Sequence, residues 1–356
     1  MKKYNFYAGP AILPDAVLQE AAKAIHDFDG MGLSLLEISH RSPNFTKVME
    51  EALSLSKELL GASDDFAAMF LTGGASSQFY MAAMNLLNRS DTASYINTGT
   101  WSSKAIKEAH LFGKIVEAAS SKEDGYRFIP KELNIPKESV FLHYTSNNTI
   151  FGTQFHQLPE TDIPLIGDMS SDIFSRPVEL DKHGLIYAGA QKNMGPAGTT
   201  LVLVRKDLLG RIKQTLPTML DYNTHIQKSS MFNTPPVYAV YVSLLTMRWV
   251  AQLGGVEEMA KRNARKAQLL YQEIDANPLF EGYAYKEDRS LMNVTFTIAD
   301  AGLEEDFVST CTENGIIGIK GHRSVGGFRA SIYNAMPYEG VEKLVEVMQD
   351  FTKRNG

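Results

Sequence analysis

Residues 186–198 of the chain read IYAGAQKNMGPAG, an apolar run followed by Gln191, Lys192 and a turn rich in glycine and proline. A lysine at the end of a strand is most often solvated surface charge, and it becomes a candidate for chemistry only in the right company. That company stands at the ends of other apolar runs. In LTGGASSQF (71–79) two glycines and small hydroxyl residues lead straight into a helical stretch, so backbone N–H groups and the positive end of a helix converge on a spot that suits a phosphate. The same segment also reads as a plain tight turn, and it is neither a G-x-x-x-x-G-K-[ST] loop nor a G-x-G-x-x-G fingerprint. PLIGDMSSD (164–172) puts Asp168 at the end of an apolar strand, where a buried carboxylate needs a partner or becomes protonated. Trp101 follows INTGT, and Thr149 lies in SNNTIFG. Each has a structural explanation on its own, as a cap, a core tryptophan or a turn. Together, a phosphate cradle at Gly73 to Ser77, an aromatic shelf at Trp101, Thr149, a carboxylate and a lysine are what pyridoxal phosphate requires. The lysine holds the aldehyde, and the carboxylate keeps the pyridine nitrogen protonated so that the ring accepts electrons.

A second constellation is cationic. His-Arg-Ser occurs at 40–42 and again at 322–324, the latter inside KGHRSVGGFRAS, where Arg329 follows Arg323. A single surface arginine would be ordinary, but arginine among glycines presents its planar fork to carboxylate or phosphate. His40, Arg41, His322, Arg323 and Arg329 are therefore expected to face a small acidic substrate. His26, His110, His143 and His156 lack metal-ligand spacing and read as core or surface groups, so no metal site is expected.

The elements that have to position these residues follow from the apolar pattern. FAAMFL (66–71), TASYINTG (92–99), SVFLHYT (139–145), IPLIGDMSSD (163–172), HGLIYAGAQKN (183–193) and TTLVLVRKDLL (199–209) read as strands, alternating in the first half with helical stretches. That alternation predicts an α/β fold with a mostly parallel sheet covered on both faces, whose ligands sit beyond the carboxyl ends of the strands. Residues 236–275 read as long helix broken near Gly254 and Gly255. Beyond them SLMNVTFTI, EEDFVSTCTENG, GFRASIYNA and YEGVEKLVEVMQDFTKR form a strand, helix, strand, helix unit of α+β type. The expected division is a large domain over 15–260 and a small C-terminal domain over 261–356, with residues 1–14 near the active site.

Composition narrows the class. The 356 residues are 44% hydrophobic and 21% charged, enough for two cores, and the formal net charge of -6 gives no electrostatic case for nucleic acid or an anionic membrane. The single cysteine, Cys311, excludes an intramolecular disulfide and a thiolate-rich metal site. The N-terminus does not read as a signal peptide and no run of about twenty apolar residues occurs, so the expected location is the cytoplasm.

The stretches YNFYAGPAILP, ISHRS, GGASSQF, NTGTWSSKA, TSNNTIFGTQ, DMSSDIFSRP, AGAQKNMGPAG, FNTPP and KGHRSVGGFRASIYNAM run nearly the length of the chain. Through them the sequence closely resembles the phosphoserine aminotransferase family of the class V, aspartate-aminotransferase-like pyridoxal-phosphate enzymes. The resemblance implies the transferase fold of those enzymes, with a mixed, mostly parallel seven-stranded sheet. It implies that Lys192 carries the cofactor, Asp168 pairs with the pyridine nitrogen and Trp101 stacks on the ring. Ala75, Ser76, Thr149 and Gln191 would contact the cofactor, and Asn233 and Thr234 would reach its phosphate from the other subunit of a homodimer. Arg41 would hold the amino acid's carboxylate, while His40, His322, Arg323 and Arg329 would recognise the substrate's carboxylate and distal anion. The implied reaction moves an amino group reversibly from glutamate to phosphohydroxypyruvate, and the family also accepts phosphohydroxythreonine. Some relatives carry arginine where this chain has Ser76; this sequence resembles the Ala-Ser branch.

The alternatives are another transaminase of this class acting on an uncharged keto acid, a cysteine desulfurase, a nicotinamide oxidoreductase and a non-catalytic anion-binding protein on the same scaffold. A desulfurase needs a mobile-loop thiol, whereas Cys311 falls in an expected helix. An oxidoreductase of this architecture needs the glycine fingerprint that is absent here.

Overall fold

The computed structural model describes residues 2–355. Its central sheet has strands β1 (Phe66–Leu71), β2 (Thr92–Asn97), β3 (Lys114–Ser120), β4 (Ser139–Thr145), β5 (Leu165–Asp168), β6 (His183–Gly189) and β7 (Thr200–Arg205), in the spatial order β1-β7-β6-β5-β4-β2-β3. All neighbours run parallel except β7, which is antiparallel to both β6 and β1. The reversal follows from the connection. Residues 190–199 are too few to cross back over the sheet, so the chain returns beside the strand it has left, and Lys192 rides on that tight return.

Alternation along the strands divides the core. Phe66, Phe70, Ile186, Ala188, Leu201 and Leu203 face one layer, built from helices Asp15–His26, Pro43–Leu59 and Val237–Gln252. Ala67, Met69, Leu185, Tyr187, Val202 and Val204 face the other, under helices Gly74–Leu86 and Thr100–Ala109. Both faces are buried, which is why these strands read as continuous apolar runs. Ser42 caps helix Pro43–Leu59 by accepting from the Phe45 N–H at 3.3 Å, a contribution of about 1 kcal/mol. The cap leaves His40 and Arg41 in the loop just before it.

The C-terminal half builds a three-stranded antiparallel sheet from Phe280–Gly282, Asn293–Ile298 and Phe328–Ser331. Phe280, Phe296, Phe307, Phe328 and Phe351 pack edge to face in its core. Helix Gly255–Ala276 is continuous between the two cores: Val256 and Met259 pack against the large sheet's helices, and Ala267, Leu270 and Ile274 pack in the phenylalanine core. The chain's start belongs to that second core. Tyr4–Asn5 pairs in parallel with Ile316–Ile317, and Phe6 is fully buried there.

Strand β3 was not visible as an apolar run, because KIVEAAS is an edge strand with Lys114, Glu117 and Ser120 exposed. The Phe280–Gly282 strand escaped for the same reason. Among the described residues no helix is long and apolar enough to cross a membrane.

Candidate active site

Lys192 is held from several sides. Its Nζ donates to Thr149 Oγ1 at 2.6 Å and lies 5.4 Å from the centre of the Trp101 ring. Gln191 O accepts from the Ala11 N–H at 2.9 Å, and a Cβ added at Gly9, whose φ is +153°, would stand 3.3 Å from Lys192 Cγ. The N-terminal residues therefore lie along the lysine's stem. Gly195 lets the turn close on helix Val237–Gln252, since a Cβ there would meet Ser243 Oγ at 2.4 Å. Lys192 keeps part of its surface at the cleft mouth, yet dense protein surrounds the amine. That burial lowers its pKa from 10.5 to about 8, with Asp168 opposing the shift and Arg329 reinforcing it. In cofactor-free protein, borohydride-trapped reaction of Lys192 with a small aldehyde should rise with pH about a midpoint near 8, because the neutral amine is the nucleophile. A midpoint near 10.5 would show the amine to be ordinarily solvated.

Asp168 ends β5 and is 5% exposed. Ser170 donates to its Oδ1 twice, from the hydroxyl at 2.6 Å and the backbone N–H at 3.0 Å. The Gly189 N–H in turn donates to Ser170 Oγ at 3.1 Å, so β6 fixes the serine that fixes the acid. No donor among the described residues reaches Oδ2. Burial raises the carboxyl's pKa above 3.8, while the Ser170 bonds and Lys192 pull it down. The other acid of DMSSD is spent on structure: Asp172 accepts from Ser146, from Gln154 at 3.2 Å and from Arg176 at 3.5 Å.

The glycine loop after β1 turns through two left-handed residues, Gly73 (φ +97°) and Gly74 (φ +67°). A Cβ on Gly73 would sit 1.9 Å from Ser77 Oγ, so only glycine fits. The loop opens helix Gly74–Leu86, whose first backbone N–H groups have no partners within the helix. Ala75 N and the Gln191 side chain both border Gly189, at 3.4 Å and 2.7 Å from where its Cβ would be. Ser76 is exposed at this end. Trp101 begins helix Thr100–Ala109, where Ser102 Oγ accepts from the N–H groups of Thr98 and Gly99 at 3.0 Å and sets the turn. Its indole Nε1 is buried without a partner.

Arg329 reaches the same cleft from the small sheet. One guanidinium nitrogen donates to Thr149 O at 3.3 Å, and Nε is buried and unpartnered. His322 is half-buried nearby, its pKa pushed below 6.5 by burial and by Arg329, Arg323 and Lys104. Arg323 is exposed. The structure thus brings Ala75, Trp101, Thr149, Asp168, Gln191, Lys192, His322 and Arg329 around one cleft. No contact among the described residues links His40, Arg41, Asn233 or Thr234 to Lys192. Arg41 is exposed, His40 Nε2 is buried without a partner, and Asn233 lines a cleft of about 140 Å³ with Gly73 and Ser77.

These residues fit pyridoxal phosphate. Asp168 has a free buried oxygen for a ring nitrogen, the glycine loop offers unpaired N–H groups to a phosphate, and Lys192 has the depressed pKa that imine formation needs. Cys311 is fully buried in the phenylalanine core, on helix Glu304–Glu313, with its thiol pushed up to about 12. Sequence reasoning overlooked Ser170, although a serine two residues beyond a carboxylate is a recurrent local partner. It also overlooked Tyr333 and Asn293, whose polar contacts lie far away in sequence.

Comparison with known proteins agrees with the geometry. The family model described as Aminotransferase class-V matches residues 3–344. A phosphoserine aminotransferase of Azobacteroides pseudotrichonymphae is 54% identical over 355 residues, covering 99% of this chain and 98% of that protein. The phosphoserine aminotransferase structure from Bacillus circulans subsp. alkalophilus superposes with a TM-score of 0.97 at 46% identity, over 100% of this chain and 99% of that one. A PLP-bound phosphoserine aminotransferase from Trichomonas vaginalis superposes with a TM-score of 0.91 at 36% identity, over 98% and 100% of the two chains. The α/β architecture is that of the aspartate-aminotransferase-like transferases, and the cofactor is pyridoxal phosphate. The chain belongs to the class-V aminotransferases, within the phosphoserine aminotransferase family.

Proposed function

We propose that the protein transfers an amino group reversibly from L-glutamate to 3-phosphohydroxypyruvate, giving O-phospho-L-serine and 2-oxoglutarate in serine biosynthesis, and also acts on phosphohydroxythreonine in pyridoxine biosynthesis. The observation that carries this reading is Arg329, a guanidinium held in the lysine's cleft with a buried, unpartnered Nε. A cation so placed recognises a carboxylate, and an uncharged pocket would have no use for it. Bound here, pyridoxal phosphate supplies an aldehyde that accepts the amino group and a ring that takes up electrons from the substrate's Cα.

The chain's own residues do the rest. The N–H groups of Ala75 and Ser76 and the helix end would hold the phosphate, Trp101, Thr149 and Gln191 would hold the ring, and Asp168 Oδ2 would pair with the ring nitrogen. Lys192 Nζ would hold the aldehyde. As a free amine it would take the proton from the substrate Cα and give it to the cofactor's aldehyde carbon, a task suited to a pKa of about 8. Arg329, with His322 and Arg323, orients the substrate's anionic groups, and His40 and Arg41 complete that recognition. Two copies of the chain form the working enzyme, Asn233 and Thr234 of each reaching the phosphate bound by the other, in the cytoplasm. Residues 15–260 act as the cofactor-binding domain and 261–356 as the smaller domain that carries Arg329.

Arg329→Ala should lower kcat/KM for glutamate by about 2–3 kcal/mol, roughly 30- to 150-fold, the cost of removing one partner of a buried charge pair. Spectral titration with glutamate, phosphoserine, phosphohydroxythreonine and alanine measures this. A substrate preference that the substitution leaves unaltered would point to an uncharged keto acid instead.

A further inference from the structure

FRASIYNAM contains, beyond Arg329, the consecutive residues Tyr333 and Asn334, and both reach the surroundings of Lys192. Tyr333 is fully buried and its hydroxyl donates to Ala8 O at 2.8 Å, across 325 positions of sequence. A phenol has one proton to give, so its oxygen is left to accept, which it does from Asn293 Nδ2 at 3.1 Å. Ala8 precedes Gly9, whose backbone lies against the Lys192 stem, and Ala11 donates to Gln191 O. On the other side, the Asn334 N–H donates to Asn193 Oδ1 at 2.9 Å, and Asn193 donates to Ile173 O at 2.7 Å. The turn that carries the pair is itself clamped: buried Lys266 donates to the carbonyls of Ile332 at 2.9 Å, Tyr333 at 2.6 Å and Met336 at 3.1 Å.

We infer that Tyr333 is a positioning residue for Lys192, acting by pinning residues 8–11 along the lysine's stem so that they confine the amine and keep water from it. This rests on Lys192 being the reacting amine of the proposed function. Without the Ala8 bond the N-terminal segment keeps its strand pairing at Tyr4–Asn5 and its bond at Ala11, but the stretch between them loses its side-chain anchor. Water then reaches the amine, and the lysine samples more orientations.

Tyr333→Phe removes one oxygen, and with it the bond to Ala8 O, the bond accepted from Asn293 and the hydroxyl's interaction with Thr149. Tyr144→Phe serves as the control, because Tyr144 is equally buried and its hydroxyl bonds His183 Nε2 at 2.8 Å with no link to residues 8–11. In cofactor-free protein, the pH midpoint of Lys192 modification, located by mass spectrometry, should rise in Tyr333→Phe by about one unit, since desolvation is the largest cause of its depression. The charged groups facing Lys192, namely Asp168, Asp172 and Arg329, are unchanged in the variant. In the loaded enzyme kcat should fall roughly 10- to 100-fold, as for a misplaced catalytic group, with KM for glutamate within about two-fold. Tyr144→Phe should lose stability and leave the midpoint in place. An unmoved midpoint in Tyr333→Phe, with a kcat loss no larger than the control's, would overturn the inference. The modification assay needs no transamination, so it is independent of the reading of Lys192, which falls instead if wild-type protein shows no lysine-dependent visible absorbance with pyridoxal phosphate.

Discussion

Lys192→Ala is expected to lower kcat for glutamate-dependent transamination by more than about 10³-fold and to abolish the visible absorbance of lysine-bound cofactor. The proposed function gives Lys192 two roles, covalent holding of the aldehyde and proton transfer at the substrate Cα, and loss of the second alone would cost about 10² to 10⁴. Nothing nearby replaces it. Lys104 stands 4.7 Å from the Trp101 ring, but it is exposed and lacks the Thr149 acceptor that orients Lys192 Nζ. Lys192→Arg should not restore activity, because a guanidinium stays protonated and can neither form the imine nor accept the proton. Survival of absorbance and turnover together in Lys192→Ala would remove the assignment.

The next largest loss is expected for Asp168→Asn, at about 10² to 10³ in kcat, the usual cost of deleting a preorganised charge from a dry site. Stability should move the other way. Burial raises the Asp168 pKa above 3.8, so folding favours the protonated acid, and the ionised form weakens the fold as pH rises through the folded-state pKa. Asparagine removes that penalty. At pH 7 the cofactor-free variant should therefore melt no lower than wild type, even as its holoenzyme loses turnover. Calorimetry of the cofactor-free proteins beside steady-state kinetics tests both halves. A variant that is less stable and fully active would make Asp168 a structural cap.

Much of the architecture was legible because it rests on local signals. β1, β2, β4, β5, β6 and β7 are largely continuous apolar runs, a pattern imposed by burial on both faces, whereas β3 has only Ala118 buried, is interrupted by Lys114 and Glu117, and carries no such mark. The cleft's membership was legible as well, since Trp101, Thr149, Asp168 and Lys192 each follow a strand and parallel strands deliver their ends to one edge. Only the family resemblance pointed to Gln191, which borders Gly189, and to Asn233 and Thr234, which no contact among the described residues links to Lys192.

Some distinctions needed coordinates. DMSSD offers two aspartates of equal appearance, and only the contacts show Asp172 saturated by Ser146, Gln154 and Arg176 while Asp168 keeps one oxygen free. The two His-Arg-Ser motifs look alike and both of their arginines, Arg41 and Arg323, are exposed, yet the second stretch also carries Arg329 into the lysine's cleft.

By itself, then, the amino-acid sequence determined the elements, the edge of the sheet where chemistry gathers and the types of group assembled there, because periodicity and strand-end placement act over a few residues. Tertiary structure alone decided the state of the amine: burial lowers its pKa and the Arg329 charge adds to that, while Gly9 from the other end of the chain lies against its stem. Such packing is a sum over surfaces brought together from the whole chain, and no local pattern encodes it.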